Sequence, residues 1–131
     1  MLFFKKSKMK ETSLALKKED VKELDKSELI KEAENLSGTI DSAAGNERIK
    51  ILNKIGSLYF EADKTDDAIK YYEASISENK ALGKAYTDLV KLYNIKLKEA
   101  TNEKNDKNMK YYMDKIDNLL QLSKDVIRGR S

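Results

Sequence analysis

At 131 residues the chain has room for one domain, and a composition that is 37% charged, with no Pro and only five Gly, favours helices over sheets. It contains neither His nor Cys, which removes the commonest general base, the thiol nucleophile and the usual zinc ligands, and leaves no disulfide to be made. Metal, cofactor and enzyme chemistry are therefore not expected, the 40% apolar fraction predicts a thin molecule with a modest core, and no apolar run approaches the ~18 residues that cross a bilayer.

The chain opens on Met1-Leu2-Phe3-Phe4, an apolar tip followed by Lys5, Lys6, Lys8 and Lys10. Residues 1–22 carry seven Lys against three acids, so the net +3 of the whole chain is concentrated there. The apolar stretch precedes its lysines and is far shorter than the roughly 7 to 15 residues of a secretory h-region, so it does not read as a signal peptide. With no Cys in the chain, a reducing, cytoplasmic setting is expected. Residues 1–24 are read as a basic, flexible tail and residues 25–131 as a helical domain. Two other uses of the tail stay open. Phe3 and Phe4 could enter a membrane surface while the lysines of residues 1–10 meet anionic lipid at ~1 kcal/mol each, or the two rings could pack on the fold.

From Ser27, which reads as an N-cap, Leu29, Ala33, Leu36, Ile40 and Ala43 recur at helical spacing until Gly45 offers a left-handed stop. Gly38 falls outside that pattern and costs about 1 kcal/mol against Ala in a helix, so a break there is the alternative. Asn46 caps a second helix whose core face is Ile49, Leu52, Ile55, Gly56 and Tyr59, widened by Ile51, Leu58 and Ala62. The turn Asp63-Lys64-Thr65-Asp66 follows, with Thr65 or Asp66 as cap of a third helix carrying Ala68, Ile69, Tyr72, Ser75 and Ile76. So short a turn demands an antiparallel hairpin. A fourth helix begins near Ala81 to Gly83, shows Ala85, Tyr86, Leu89, Leu92 and Tyr93, and runs to about Ala100. The polar run from Thr101 to Asp106 reads as a loop with Asp106 as N-cap, and Met109, Tyr112, Met113, Ile116, Leu119, Leu120, Ser123, Val126 and Ile127 mark a fifth helix that Gly129 ends.

Leu52, Ile55, Gly56, Tyr59, Ala68 and Tyr72 fall where a tetratricopeptide repeat places its large apolar residue, its Leu-Gly pair, its first aromatic, its small residue and its second aromatic. The chain resembles that family over about Ile49 to Arg128. A second, degenerate unit displaced by 34 residues supplies Tyr86, Leu89, Val90 and Tyr93, with Val in place of Gly. The block from Ala68 to Tyr72 is echoed by Asn108 to Tyr112 at an offset of 40, which predicts about six extra residues between the helices of that unit. Lys80 stands where such repeats often have Pro. The resemblance implies an all-α fold of antiparallel hairpins stacked as a short solenoid, with Gly56 and Ala68 at a close helix crossing.

It also implies a groove lined by the first helix of each unit. Lys50, Asn53, Ser57 and Phe60 lie beside the core stripe of the second helix, and Lys84, Thr87, Lys91 and Asn94 beside that of the fourth, each set spaced three, four, three. Lysines and asparagines there would hold a carboxylate or main-chain amides, and Phe60 would anchor an apolar side chain; a solvated face is the plainer reading. The set is only part of the family's two-carboxylate clamp, so no specific ligand follows. Tyr59, Tyr72, Tyr86, Tyr93 and Tyr112 read as core, with Tyr71 and Tyr111 turned about 100° away.

Rival readings are weaker. The acidic groupings Asp66 with Asp67 and Glu99 with Glu103 sit at expected helix ends, where dipole complementarity accounts for them. The five glycines are isolated, so no phosphate loop is present, and Asn35-Leu36-Ser37 has only the form of a glycosylation acceptor. Nucleic-acid binding is not expected, since only three Arg and a mixed Lys/Glu surface make no basic face. Two functions remain: a non-catalytic adaptor that takes a protein or peptide partner, acidic by preference, in its groove, and a scaffold that forms homo-oligomers through an uncapped end helix.

Overall fold

The computed structural model describes residues 25–129, and every regular element among them is helical. Five helices follow one another: α1 (residues 25–37), α2 (Gly45–Glu61), α3 (Thr65–Glu78), α4 (Lys84–Asn102) and α5 (Asp106–Ile127), with a 3-10 turn Ile40–Ser42 between the first two. The tail, its Phe3 and Phe4 and its suggested membrane contact lie outside the described residues. None of the helices described is long and apolar enough to cross a membrane.

Helices α2 and α3, α3 and α4, and α4 and α5 pack against each other in sequence, and α2 also touches α4. Polar pairs fix the directions. Arg48 at the start of α2 donates from Nε to both carboxylate oxygens of Glu78 at the end of α3, each at 2.9 Å. Lys96 late in α4 pairs with Asp66 at the start of α3 at 3.1 Å. Helices α2 and α3, and α3 and α4, are therefore antiparallel, and the three-residue turn before Asp106 folds α5 back along α4 in the same sense. The core they enclose includes Ala33 from α1, Ile55, Leu58 and Tyr59 from α2, Ala68, Tyr72 and Ile76 from α3, and Leu89, Leu92 and Tyr93 from α4. From α5 only Leu119 is buried.

Both hairpin turns are built alike. Lys64 N–H bonds Tyr59 C=O at 2.8 Å and Asp63 N–H bonds Phe60 C=O at 3.1 Å; Asn105 to Ala100 at 2.9 Å and Lys104 to Thr101 at 3.1 Å repeat the pattern. This is the double closure that ends a helix on a left-handed residue, here Asp63 (φ 60°) and Lys104 (φ 56°). The shared geometry also corrects the caps expected from sequence. With a turn this short, the residue closing one helix also precedes the next, so Lys64 is the N-cap of α3 and Thr65 and Asp66 are already helical. Asn105, not Asp106, caps α5, and its side chain accepts from the Asn108 N–H at 3.1 Å.

Three further expectations give way. Ser27 is helical and not a cap, and α1 ends at residue 37 with Gly38 in the turn, so the stripe to Ala43 is not one helix. Leu29, Leu36 and Ile40 still pack on the core because the 3-10 turn carries Ile40 back towards it. Gly45 has the left-handed φ of 59°, yet it opens α2 instead of closing α1, and Ala44 takes the N-cap place expected of Asn46. Finally, the extra residues of the second unit do not loop out. The turns differ by 41 positions (Asp63 and Lys104) whereas the apolar pattern differs by 34, and the difference is absorbed as helix at the end of α4, which continues to Asn102. About seven residues make nearly two full turns, so the added length leaves the core face in phase.

Candidate functional site

The expected groove begins with α2 and α4. Helix α2 is apolar on several sides because it has neighbours on several sides, and this draws Asn53, Ser57 and Phe60 into half-buried positions, with Phe60 packed against the core. Lys50 stays exposed, as do Lys84, Thr87, Lys91 and Asn94 on α4. The two lines meet at one point, since Ser57 acts on Tyr72 and Lys84 pairs with Asp88, the hydrogen-bond partner of Tyr72.

That pair is the feature the sequence reading missed. Asp88 is 5% exposed and accepts from the Tyr72 hydroxyl at 2.6 Å, while Lys84 Nζ reaches the same carboxylate oxygen at 2.9 Å. Burial, and then the bond to Asp88, raise the Tyr72 phenol well above its usual range, with Ser57 acting in the opposite direction. A signal was available: Ala85, Asp88, Leu89 and Leu92 share one core stripe, and a carboxylate on such a stripe needs a buried donor.

A second rung joins α3, α4 and α5. The Tyr93 hydroxyl donates to Glu73, which also pairs with Lys115 at 3.5 Å, and burial followed by that bond holds the Tyr93 phenol neutral far beyond its ordinary value. Beside it opens a cleft of about 310 Å³ with Ile76, Leu89, Leu119 and Leu122 in its wall. Tyr59 and Tyr112 are likewise raised, in each case chiefly by burial. Lys96 is raised because hydrogen bonds to Asp66 and Glu99 outweigh the opposing effect of burial.

Four raised phenols give a pH prediction. Each favours its protonated form in the fold, so the stability it lends is complete below the unfolded value near 10 and is lost as pH climbs from there through the folded values. Thermal melts should hold steady to about pH 9.5 and fall steeply beyond pH 10, less steeply in Tyr93→Phe. A melting temperature unchanged to about pH 11.5 would contradict this assignment.

The predicted groove residues divide by what already occupies them. Lys84 is committed to Asp88, the Asn94 side chain donates back to Val90 C=O of its own helix at 2.9 Å, and Ser57 leans to Glu61 at 3.5 Å. The Asn53 Oδ1 atom is buried with no donor among the described residues. Lys50 and Lys91 make no ion pair with any described residue, and they are the open cations of this face. No group of acidic side chains able to hold a metal ion occurs among the described residues. Comparison with family models, with curated proteins and with solved structures gave no match, so the side-chain chemistry carries the functional argument alone.

Proposed function

We propose that this chain is a small, non-catalytic adaptor of tetratricopeptide-repeat type, working in the cytoplasm, whose α2 and α4 face binds an acidic or carboxylate-ended segment of a protein partner. The observation that carries the repeat reading is the crossing of α2 and α3. A Cβ placed on Gly56 would lie 3.0 Å from the Tyr72 ring, Ala68 is fully buried, and Tyr59 is buried beside them, which is the role each motif position has in such a repeat. The second hairpin supports it through an equivalent contact: Tyr59 stacks on Tyr71 at 5.8 Å and Tyr93 leans on Tyr112 at 6.3 Å, offsets of 34 and 41 that agree with the helix pattern and the turn.

The binding reading rests on Lys50 and Lys91, whose charges are unused within the described fold and which share α2 and α4 with the half-buried Phe60 and the exposed Thr87. An exposed lysine pair gives a modest, salt-sensitive attraction, so affinity in the micromolar range, about −8 kcal/mol, is expected for a short acidic peptide ending in a free carboxylate. Fluorescence anisotropy with such a labelled peptide tests it. Lys50→Glu combined with Lys91→Glu should weaken binding at least about tenfold without moving the melting temperature. Lys84→Glu is the poorer probe, because it also sets a carboxylate beside Asp88 and lowers stability. Unchanged affinity in the Lys50/Lys91 variant would remove the groove from consideration.

A further inference from the structure

The first hairpin has its outer face covered by α4, and among the described residues no helix covers the second. At the turn offset of 41, Met113 on α5 corresponds to Tyr72 on α3; Tyr72 is fully buried between α2, where its ring meets Gly56, and α4, where its hydroxyl meets Asp88, whereas Met113 is 52% exposed. Leu120 and Ile127 follow at spacings of seven, 48% and 75% exposed, so one side of α5 presents an apolar stripe along the helix. Beside that stripe stand Asp117 and Lys124, both exposed and neither paired with any described residue, whereas Lys110 is matched by Asp114 at 3.4 Å and Lys115 by Glu73 at 3.5 Å.

We infer that this stripe is the contact surface for a second copy of the chain, with the two α5 helices antiparallel about a two-fold axis at Leu120. The charge pattern selects that partner and that direction. Asp117 lies three residues before Leu120 and Lys124 four residues after it, on the same flank. A two-fold axis there sets Leu120 against Leu120 and Met113 against Ile127, and brings each Asp117 next to the Lys124 of the other copy, making two ion pairs at once. A parallel two-fold would carry Asp117 and Lys124 to opposite flanks of the seam and make neither ion pair. The cover is of the kind the chain already uses, since α3 is covered by the antiparallel α4. The surface is distinct from the α2 and α4 face, so a dimer leaves Lys50 and Lys91 open.

Contact from Met113 to Ile127 covers only about 20 Å of helix, so the interface is small and the dimer weak, with dissociation in the micromolar range. Sedimentation of the full chain from about 5 to 500 µM should show the mass rising from 15.0 kDa towards twice that value. Asp117→Lys alone, or Lys124→Asp alone, opposes like charges across the axis and should weaken association about tenfold, and the two exchanges combined in one chain should restore it. The chain has no Cys, so single substitutions report proximity cleanly. Leu120→Cys should oxidise to a disulfide-linked dimer, whereas Met113→Cys should do so only when mixed with Ile127→Cys. Helicity by circular dichroism checks each variant, and all five positions are exposed, so the fold is expected to survive. A 15.0 kDa species at every concentration overturns the inference, as does failure of the double exchange to restore association or equal cross-linking of Met113→Cys alone.

Discussion

Replacing Gly56 with Leu should cost the fold about 3 kcal/mol and lower its melting temperature by roughly 10 °C. The ring of Tyr72 already stands 3.0 Å from where a Cβ would be, and it is fully buried. It cannot retreat along its own axis, because its hydroxyl is held by Asp88 at 2.6 Å. Gly56→Ala is a finer test of the same crossing: the gain of about 1 kcal/mol in helix propensity opposes the shift of a few tenths of an ångström the ring must make, so a near-neutral result is expected. Gly83→Ala, where an added Cβ meets nothing within 4 Å, should cost about 0.5 to 1 kcal/mol through the loss of a tolerated N-cap residue of α4 and nothing through packing. Gly38→Ala also has room, its Cβ meeting Asn35 C=O at 3.4 Å, though the helix it was thought to interrupt has ended there. Chemical denaturation of the four variants measures the series. Equal stability for wild type and Gly56→Leu would mean that α2 and α3 do not cross as described.

The helices were legible in the sequence because their apolar stripes obey a 3.6-residue period without interruption by Pro, and Leu52, Ile55, Tyr59, Ala68, Tyr72, Leu89, Leu92 and Tyr93 are all buried as that period requires. Helix ends were less legible. Each cap named from sequence was one or two residues off wherever two helices share a three-residue turn, since a good capping residue such as Thr65 or Asp106 is then displaced into the first helical turn, where its charge or hydroxyl suits the dipole instead. The pairing of Tyr112 with Tyr72 was suggested by the repeated Tyr-Tyr. Ring contacts and turns pair it with Tyr71, because two extra turns in α4 shift the second hairpin by 41 and not 40. Tyr86 and Tyr112 are only half-buried and pack against the edge of the core.

The candidate site was legible only as a set of positions. Spacing alone could align Lys50, Asn53, Ser57 and Phe60 with Lys84, Thr87, Lys91 and Asn94, but it could not say which of them the fold would consume. Lys84 and Ser57 are drawn to the Tyr72 and Asp88 pair, and Asn94 to its own backbone, by groups that lie on other helices or one turn away. Those contacts depend on how α2, α3 and α4 meet, which no single-helix pattern contains. The same is true of the open stripe on α5: Met113, Leu120 and Ile127 read as core in a helix taken alone, and are exposed because no sixth helix covers them among the described residues.

Tyr72→Phe and Asp88→Ala should each destabilise the protein by about 1 to 3 kcal/mol, and the double variant should cost clearly less than their sum. The Lys84 side chain is 64% exposed, so its attraction to Asp88 is screened and contributes less than about 1 kcal/mol. The Tyr72 hydroxyl is the stronger partner, because neither it nor Asp88 has water to fall back on. Removing the hydroxyl strands a buried carboxylate with only a lysine at its edge; removing the carboxylate strands a phenol in the core. Once one partner has gone, loss of the other removes an unsatisfied group instead of creating one, and part of the penalty is returned. Urea denaturation of the two single variants and the double should therefore give a coupling of about 1 kcal/mol or more, with Lys84→Ala close to wild type. Strict additivity would show that the 2.6 Å contact contributes nothing beyond its packing, and a large loss in Lys84→Ala would transfer the main role to the ion pair.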